Sequence, residues 1–195
     1  MKRLVLASAN PGKLREMQAL LAPLGMEVVA QGALGIAGAE EPYESFLENA
    51  LAKARHASRA SGLPALADDS GLCVDALGGA PGVHSAYFAG REGSREERDA
   101  RNNAKLLASL GNEREAHYHC VMVLVQSADE PRPLITEGDW HGSVARAARG
   151  VNGFGYDPLF LVAQRGLTAA ELPDEVKNRI SHRALAAARL LAALR

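Results

Sequence analysis

The sequence predicts an α/β fold: a long, twisted central mixed sheet flanked by helices. Three observations carry this. Strand-like apolar runs alternate with segments of helical period along the whole chain. Residues 4–30 read as a βαβ unit, and Tyr118 to Gln126 and Leu134 to Ala145 read as two long strands joined around Pro131 and Pro133, hence antiparallel. No repeat, low-complexity tract or linker breaks the pattern, so residues 1–195 are expected to form a single domain with a sizeable core.

Leu4 to Ser8 reads as a buried strand. Leu14, Met17, Leu20, Leu21 and Leu24 then recur at helical spacing, Gly25 ends that helix, and Met26 to Ala30 is the second strand. Glu40-Glu41-Pro42 lies in a loop before a helix from Ser45 to Ser61, which Gly62 ends. The apolar run Leu63 to Ala67 is expected to stop on Asp68 and Asp69 and turn at Gly71, with Leu72 to Val74 as a separate short strand. Ser94 and Glu97 have capping-box spacing ahead of a helix reaching Leu110. A glycine-rich segment, Gly150 to Gly155, precedes the short strand Leu159 to Val162. The chain ends in a helix whose expected apolar face is Ala184, Leu185, Ala188, Leu191 and Leu194.

With 47% hydrophobic and 23% charged residues, the composition is that of a soluble globular protein. A net charge of −1 gives no field favouring a nucleic-acid partner or an anionic membrane. Cys73 and Cys120 sit in apolar strand-like runs and read as buried free thiols, which fits a cytoplasmic protein, a disulfide between them being the alternative. Met1 to Ala9 faintly mimics a signal peptide, but its apolar core is too short, and no run approaches membrane-spanning length.

The chemistry-bearing residues fall into a few groups. Ser8-Ala9-Asn10-Pro11-Gly12-Lys13 links a strand to a helix start, where outward amides and a lysine suit phosphate. It is not a Walker A sequence, and by itself it also reads as an ordinary capped turn. Asp68 and Asp69 must face opposite ways in extended chain. One can serve a metal or a water while the other holds the surroundings, and Glu40 and Glu41 add acids suited to magnesium. Lys53 by default is a solvated helical lysine. Phe154-Gly155-Tyr156-Asp157 offers a flat aromatic surface for a base, or a buried turn closing the core. Lys177 through Arg183 places several donors at the start of the last helix. His117 and His119 share a strand face without further zinc ligands.

These motifs occur in an order that closely resembles the inosine/xanthosine triphosphate pyrophosphatase family. The matches are Ser8-x-Asn10-x-x-Lys13, Glu40-Glu41, Phe46-x-Glu48-Asn49-Ala50 with Lys53, Ala67-Asp68-Asp69-Ser70-Gly71-Leu72, Gly79-Ala80-Pro81-Gly82-Val83, Gly153-Phe154-Gly155-Tyr156-Asp157-Pro158 and Ser181-His182-Arg183. The resemblance implies a two-lobed homodimer with a nucleotide cleft. It also implies magnesium-dependent hydrolysis of non-canonical purine nucleoside triphosphates (ITP, dITP, XTP) to monophosphate and pyrophosphate. By the same resemblance Ser8, Asn10, Lys13 and Lys53 hold phosphates. Glu40, Glu41 and Asp69 bind metal, Asp69 activates water with support from Asp68, and Ser70 touches substrate. Phe154 stacks on the base with Gly155, Tyr156 and Asp157, and Lys177, His182 and Arg183 read the base and ribose side. Tyr87 stands where relatives commonly carry arginine. The competing readings are a pyrophosphatase for other modified nucleotides and a non-catalytic nucleotide sensor.

Overall fold

The computed structural model describes residues 3–194, with the side chain of Leu24 excepted; Met1 and Lys2 of the signal-like start lie outside the described residues. Six strands form one mixed sheet in the order β2-β1-β3-β4-β5-β6. These are β1 (Arg3–Leu6), β2 (Glu27–Ala30), β3 (Ala65–Val74), β4 (Glu115–Val125), β5 (Leu134–Val144) and β6 (Phe160–Val162). The helices are α1 (Pro11–Leu21), α2 (Phe46–Ser61), α3 (Arg95–Ser109), α4 (Asp174–Ile180) and α5 (His182–Ala193). β1 pairs in parallel with β2 and β3, with Leu6 opposite Ala30 and Leu66. β5 and β6 are antiparallel.

The chain forms two compact units. The first comprises residues 1–69, 120–138 and 182–195, and the second residues 70–119 and 139–181. In the first unit the alternation of a strand with period two fills both faces of the sheet. Leu4, Leu6, Leu66, Cys120, Met122 and Leu124 pack with Met17 and Leu21 of α1 and with Ala186, Ala187 and Leu190 of α5. Val5, Ala65, Ala67, Val121, Val123 and Val125 pack with Ala50, Ala54 and Ala57 of α2. One face is lined by long side chains and the other by a seam of alanines, so α2 lies close upon its strands. The second unit builds its core from Leu72, Val74, Tyr118, Trp140, Tyr156, Phe160 and Leu172. Tyr118, Trp140 and Phe160 pack as a ring cluster, with centroids 4.7 to 6.3 Å apart.

Local chemistry sets the helix ends as the sequence predicts. Ser45 caps α2 and Gly62 closes it in the left-handed conformation, while Ser94 and Glu97 form a reciprocal capping box on α3. β1 stops at Leu6, two residues short of the expected end.

Three expectations need correction. β3 does not stop on the acids but runs through them for ten residues. Asp68 and Asp69 stay inside the strand because each has a buried cationic partner, and Gly71 leaves room for the Gly82 carbonyl and Ser85 against the strand. The terminal helix buries His182, Arg183, Ala184, Ala186, Ala187 and Leu190 and leaves Leu185 exposed, as is Leu194 just past its end. Gly138 decides this: a Cβ there would collide with the His182 carbonyl and the Ala186 amide, so α5 can press its small residues onto β5. Finally, the Lys177–Arg183 stretch spans two helices, α4 and α5, broken at Ser181.

Both cysteines are free. Cys120 is buried and Cys73 only half-buried; burial, with Asp139 and Asp75 nearby, pushes the Cys73 thiol up to about 11. Among the described residues, no helix is long and apolar enough to cross a membrane.

Candidate active site

The first unit gathers charge around two adjacent carboxylates. Asp68 and Asp69 are 2% and 6% exposed, a placement that carboxylates occupy only when paired. They take opposite faces of β3, as extended chain requires.

Asp68 faces α1 and α5. Its Oδ2 lies 3.0 Å from Lys13 Nζ and accepts from Arg183 Nε at 3.2 Å. Arg183 in turn donates from Nη1 to Glu16 at 2.8 Å. Burial alone would raise the Asp68 carboxyl, but Lys13 and Arg183, with Lys53 behind them, hold it well below the usual carboxylate range. Lys13 reaches this position because Asn10 caps α1: its Oδ1 accepts from the Gly12 and Lys13 amides at 2.9 and 3.2 Å, and Ser8 Oγ accepts from the Asn10 amide. Ser8, Asn10 and Lys13 therefore stand together at one helix start.

Asp69 faces α2. Its Oδ1 accepts from Lys53 Nζ at 2.7 Å, and Lys53 also donates to Glu41 at 3.1 Å. Lys53 is 8% exposed, so the solvated lysine of the sequence reading is replaced by a buried ion pair. Burial pushes Asp69 above the ordinary carboxylate value; Lys53 and Lys13 pull it down, and Glu41 pushes it up again. Lys53 itself is shifted upward, because Asp69, Glu41 and Asp68 outweigh its own desolvation.

Asn49 holds the acidic loop beside this pair. It bonds both backbone groups of Tyr43 at 3.0 and 3.1 Å and reaches Asp69 at 3.5 Å. Glu40 is exposed in that loop. The oxygens of Asp69 and Glu41 converging on one ammonium are hard donors of the kind magnesium takes, with waters and substrate phosphates completing its shell. Among the described residues no three His, Cys, Asp or Glu side chains form a ready metal cage.

The second unit holds the aromatic loop. Asp157 is its anchor: it accepts from the Phe154 amide at 2.8 Å, from Lys177 Nζ at 2.7 Å and from the Tyr118 hydroxyl at 3.4 Å. Lys177 Nζ also lies 5.0 Å from the Phe154 ring centroid. The Tyr156 hydroxyl donates to the Ser85 carbonyl at 2.9 Å, and burial followed by Asp99 raises its pKa, which keeps it a donor. Ser70, half-buried on β3, belongs to this unit.

Arg183 and His182 are both buried at the start of α5 in the first unit, where Arg183 is bonded to Asp68 and Glu16. Lys177, in contrast, sits beside Phe154. The sequence reading missed Glu16, the partner of Arg183, and two residues of α3. Asp99 accepts from the Gly155 amide and Asn103 donates to the Gly155 carbonyl, each at 3.0 Å. Their spacing of four on one helix face was the available signal.

A model of the Ham1 family matches residues 4–193. The chain belongs to the Ham1 family. Among relatives, the protein named dITP/XTP pyrophosphatase in Ralstonia nicotianae is 60% identical over 197 residues, covering 100% of this chain and 98% of that one. A protein of the same name in Burkholderia pseudomallei is 59% identical, covering 98% and 93%. Among solved Ham1 structures, the HAM1 protein from Coxiella burnetii matches with a TM-score of 0.90 at 46% identity, covering 100% and 98%. The Staphylococcus aureus Ham1 protein matches with a TM-score of 0.85 at 36% identity, covering 99% and 98%. The Ham1 fold thus agrees with the mixed sheet expected from sequence, and Ham1 membership with the ordered motifs.

Proposed function

We propose that this chain hydrolyses non-canonical purine nucleoside triphosphates, ITP, dITP and XTP, to the monophosphate and pyrophosphate. The observation that carries the reading is the divided carboxylate pair, in which Asp68 is locked between Lys13 and Arg183 while Asp69 lies buried on the opposite face with Lys53 and Glu41. Water attacks the α-phosphorus, the α–β bridging bond breaks, and pyrophosphate leaves. Asp69 takes the proton of the attacking water at its carboxylate, a role for which a raised pKa suits it. Asp68 fixes Lys13 and Arg183. The helix start of Ser8, Asn10 and Lys13 binds phosphate, with Lys53 assisting.

Asp69 and Glu41, with Glu40 beside them, would hold magnesium, which supplies charge neutralisation on the phosphate oxygens. The base is assigned to Phe154 and its loop, with Lys177 donating to the 6-oxo group that adenine lacks. A homodimer in the cytoplasm completes the reading. The relatives' printed names support the activity, and the free thiols fit a reducing compartment.

The test is chromatographic product analysis with inosine, xanthosine, guanosine and adenosine triphosphates, with and without magnesium, alongside light scattering for the dimer. Monophosphate and pyrophosphate from the first two, only with magnesium, is the expected result. Diphosphate and phosphate would place the cleavage elsewhere. Tight binding without turnover would favour the nucleotide sensor.

A further inference from the structure

The second unit contains a cation that none of these roles uses. Arg95, the first residue of α3, lays its guanidinium 4.8 Å from the centroid of the Phe154 ring. Lys177 lies 5.0 Å from the same centroid, so two cations attend one ring. They differ in how they are held. Lys177 is 3% exposed and fixed on Asp157 at 2.7 Å. The Arg95 side chain is 31% exposed, and its carboxylate neighbour is Asp99, one turn along α3 at 3.7 Å, longer than a hydrogen bond. A purine stacking on Phe154 needs a face of that ring. The clamped ammonium cannot yield; the partly exposed guanidinium can swing aside to the edge of the incoming base.

We propose that Arg95 is a specificity-determining residue of the base subsite, covering the Phe154 ring in the unliganded protein and donating to the C2 side of a purine stacked there. This rests on the assignment of the base to Phe154. Guanidinium carries five donors and no acceptor. Xanthine presents a 2-oxo acceptor, which Arg95 satisfies. Guanine presents a 2-amino donor, which meets only donors and is left without a partner. Hypoxanthine has only hydrogen at C2 and is indifferent. Two donors at one ring, Lys177 and Arg95, thus match the two carbonyls of xanthine. A mismatch of donors beneath a stacked base discriminates more sharply than a difference of shape.

The experiment measures kcat/KM for XTP, ITP and GTP, and the calorimetric Kd of XMP, IMP and GMP, for the wild type, Arg95→Ala, Arg95→Lys and Arg95→Glu. The thermal midpoint of each variant verifies folding. Arg95→Ala is expected to weaken XMP binding and lower kcat/KM for XTP by about tenfold or more, to change ITP less, and to narrow the gap between XTP and GTP. Arg95→Lys restores part of the preference. Arg95→Glu, which places an acceptor there, turns it toward GTP. An equal loss for all three bases, or unchanged ratios, overturns the assignment of Arg95 alone. A wild-type protein that turns over neither XTP nor ITP overturns the reading of the whole site.

Discussion

Asp68 and Asp69 are one bond apart in sequence and opposite in circumstance. Asp68 lies on the face shared with α1 and α5, bonded to two cations that are themselves restrained by Asn10 and Glu16. Asp69 lies on the face of α2, with one lysine that it shares with Glu41. Both are buried, and desolvation pushes both pKa values upward; the number of nearby positive charges decides the outcome. Two carboxylates on one strand thereby divide into one held ionised among cations and one pushed upward, the division on which the proposed roles rest.

The sharpest way to break this comparison is to neutralise each acid in turn. Asp69→Asn is expected to lower turnover by about a thousandfold while nucleotide binding stays measurable, as read by pyrophosphate release and calorimetry. Near-normal turnover would remove Asp69 from the chemistry.

Asp68→Asn is expected to cost about 3–5 kcal/mol in denaturant unfolding, because Lys13 and Arg183 lose the anion between them. The sign of its pH dependence follows from a folded pKa below the unfolded value of 3.8. Its stabilisation is complete well above that value and is lost as the pH falls through and below it. Acid unfolding of the wild type is therefore expected to be steeper than that of Asp68→Asn. Superimposable acid curves would contradict the pairing.

Lys53→Met sharpens the other side. Removing the stronger of the two cations that pull Asp69 down leaves Lys13 alone against desolvation and Glu41, so the acidic limb of the kcat/KM profile should move to higher pH by about one unit or more. A shift to lower pH would mean that a different group sets the limb. The smallest expected effect is at Glu16→Gln, about 1 kcal/mol in unfolding, since Arg183 keeps Asp68.

The sequence made plain whatever is local. The caps at Ser45, Gly62, Ser94 and Glu97 lie within a turn of the groups they satisfy, and the opposite facing of Asp68 and Asp69 follows from the strand period alone. The continuation of β3 through its acids was not legible, because Arg183, the partner of Asp68, is 115 residues away. The face of α5 was misread for a similar reason. Leucines at helical spacing looked like the buried stripe, but Gly138 on a different strand admits alanines instead. The ordered motifs singled out residues that do cluster, the acids with their cations in the first unit and the aromatic loop with Lys177 in the second. Asp99 and Asn103 belong to no motif, and their spacing of four on α3 marks a shared face without saying that it meets Gly155.

The seam between α2 and its strands is made of Ala50, Ala54, Ala57, Ala65 and Ala67 with valines around them. Alanine has no rotamers, so the five alanines of this contact freeze no side-chain entropy on folding and have no alternative packing to adopt. A disturbance of β3 cannot be absorbed there by a side-chain flip and must pass to the helix as a whole. The spacing between Lys53 and Asp69 is in this sense a property of two backbones in contact, a fixed gauge that warming or a distant substitution can shift only by moving the helix bodily.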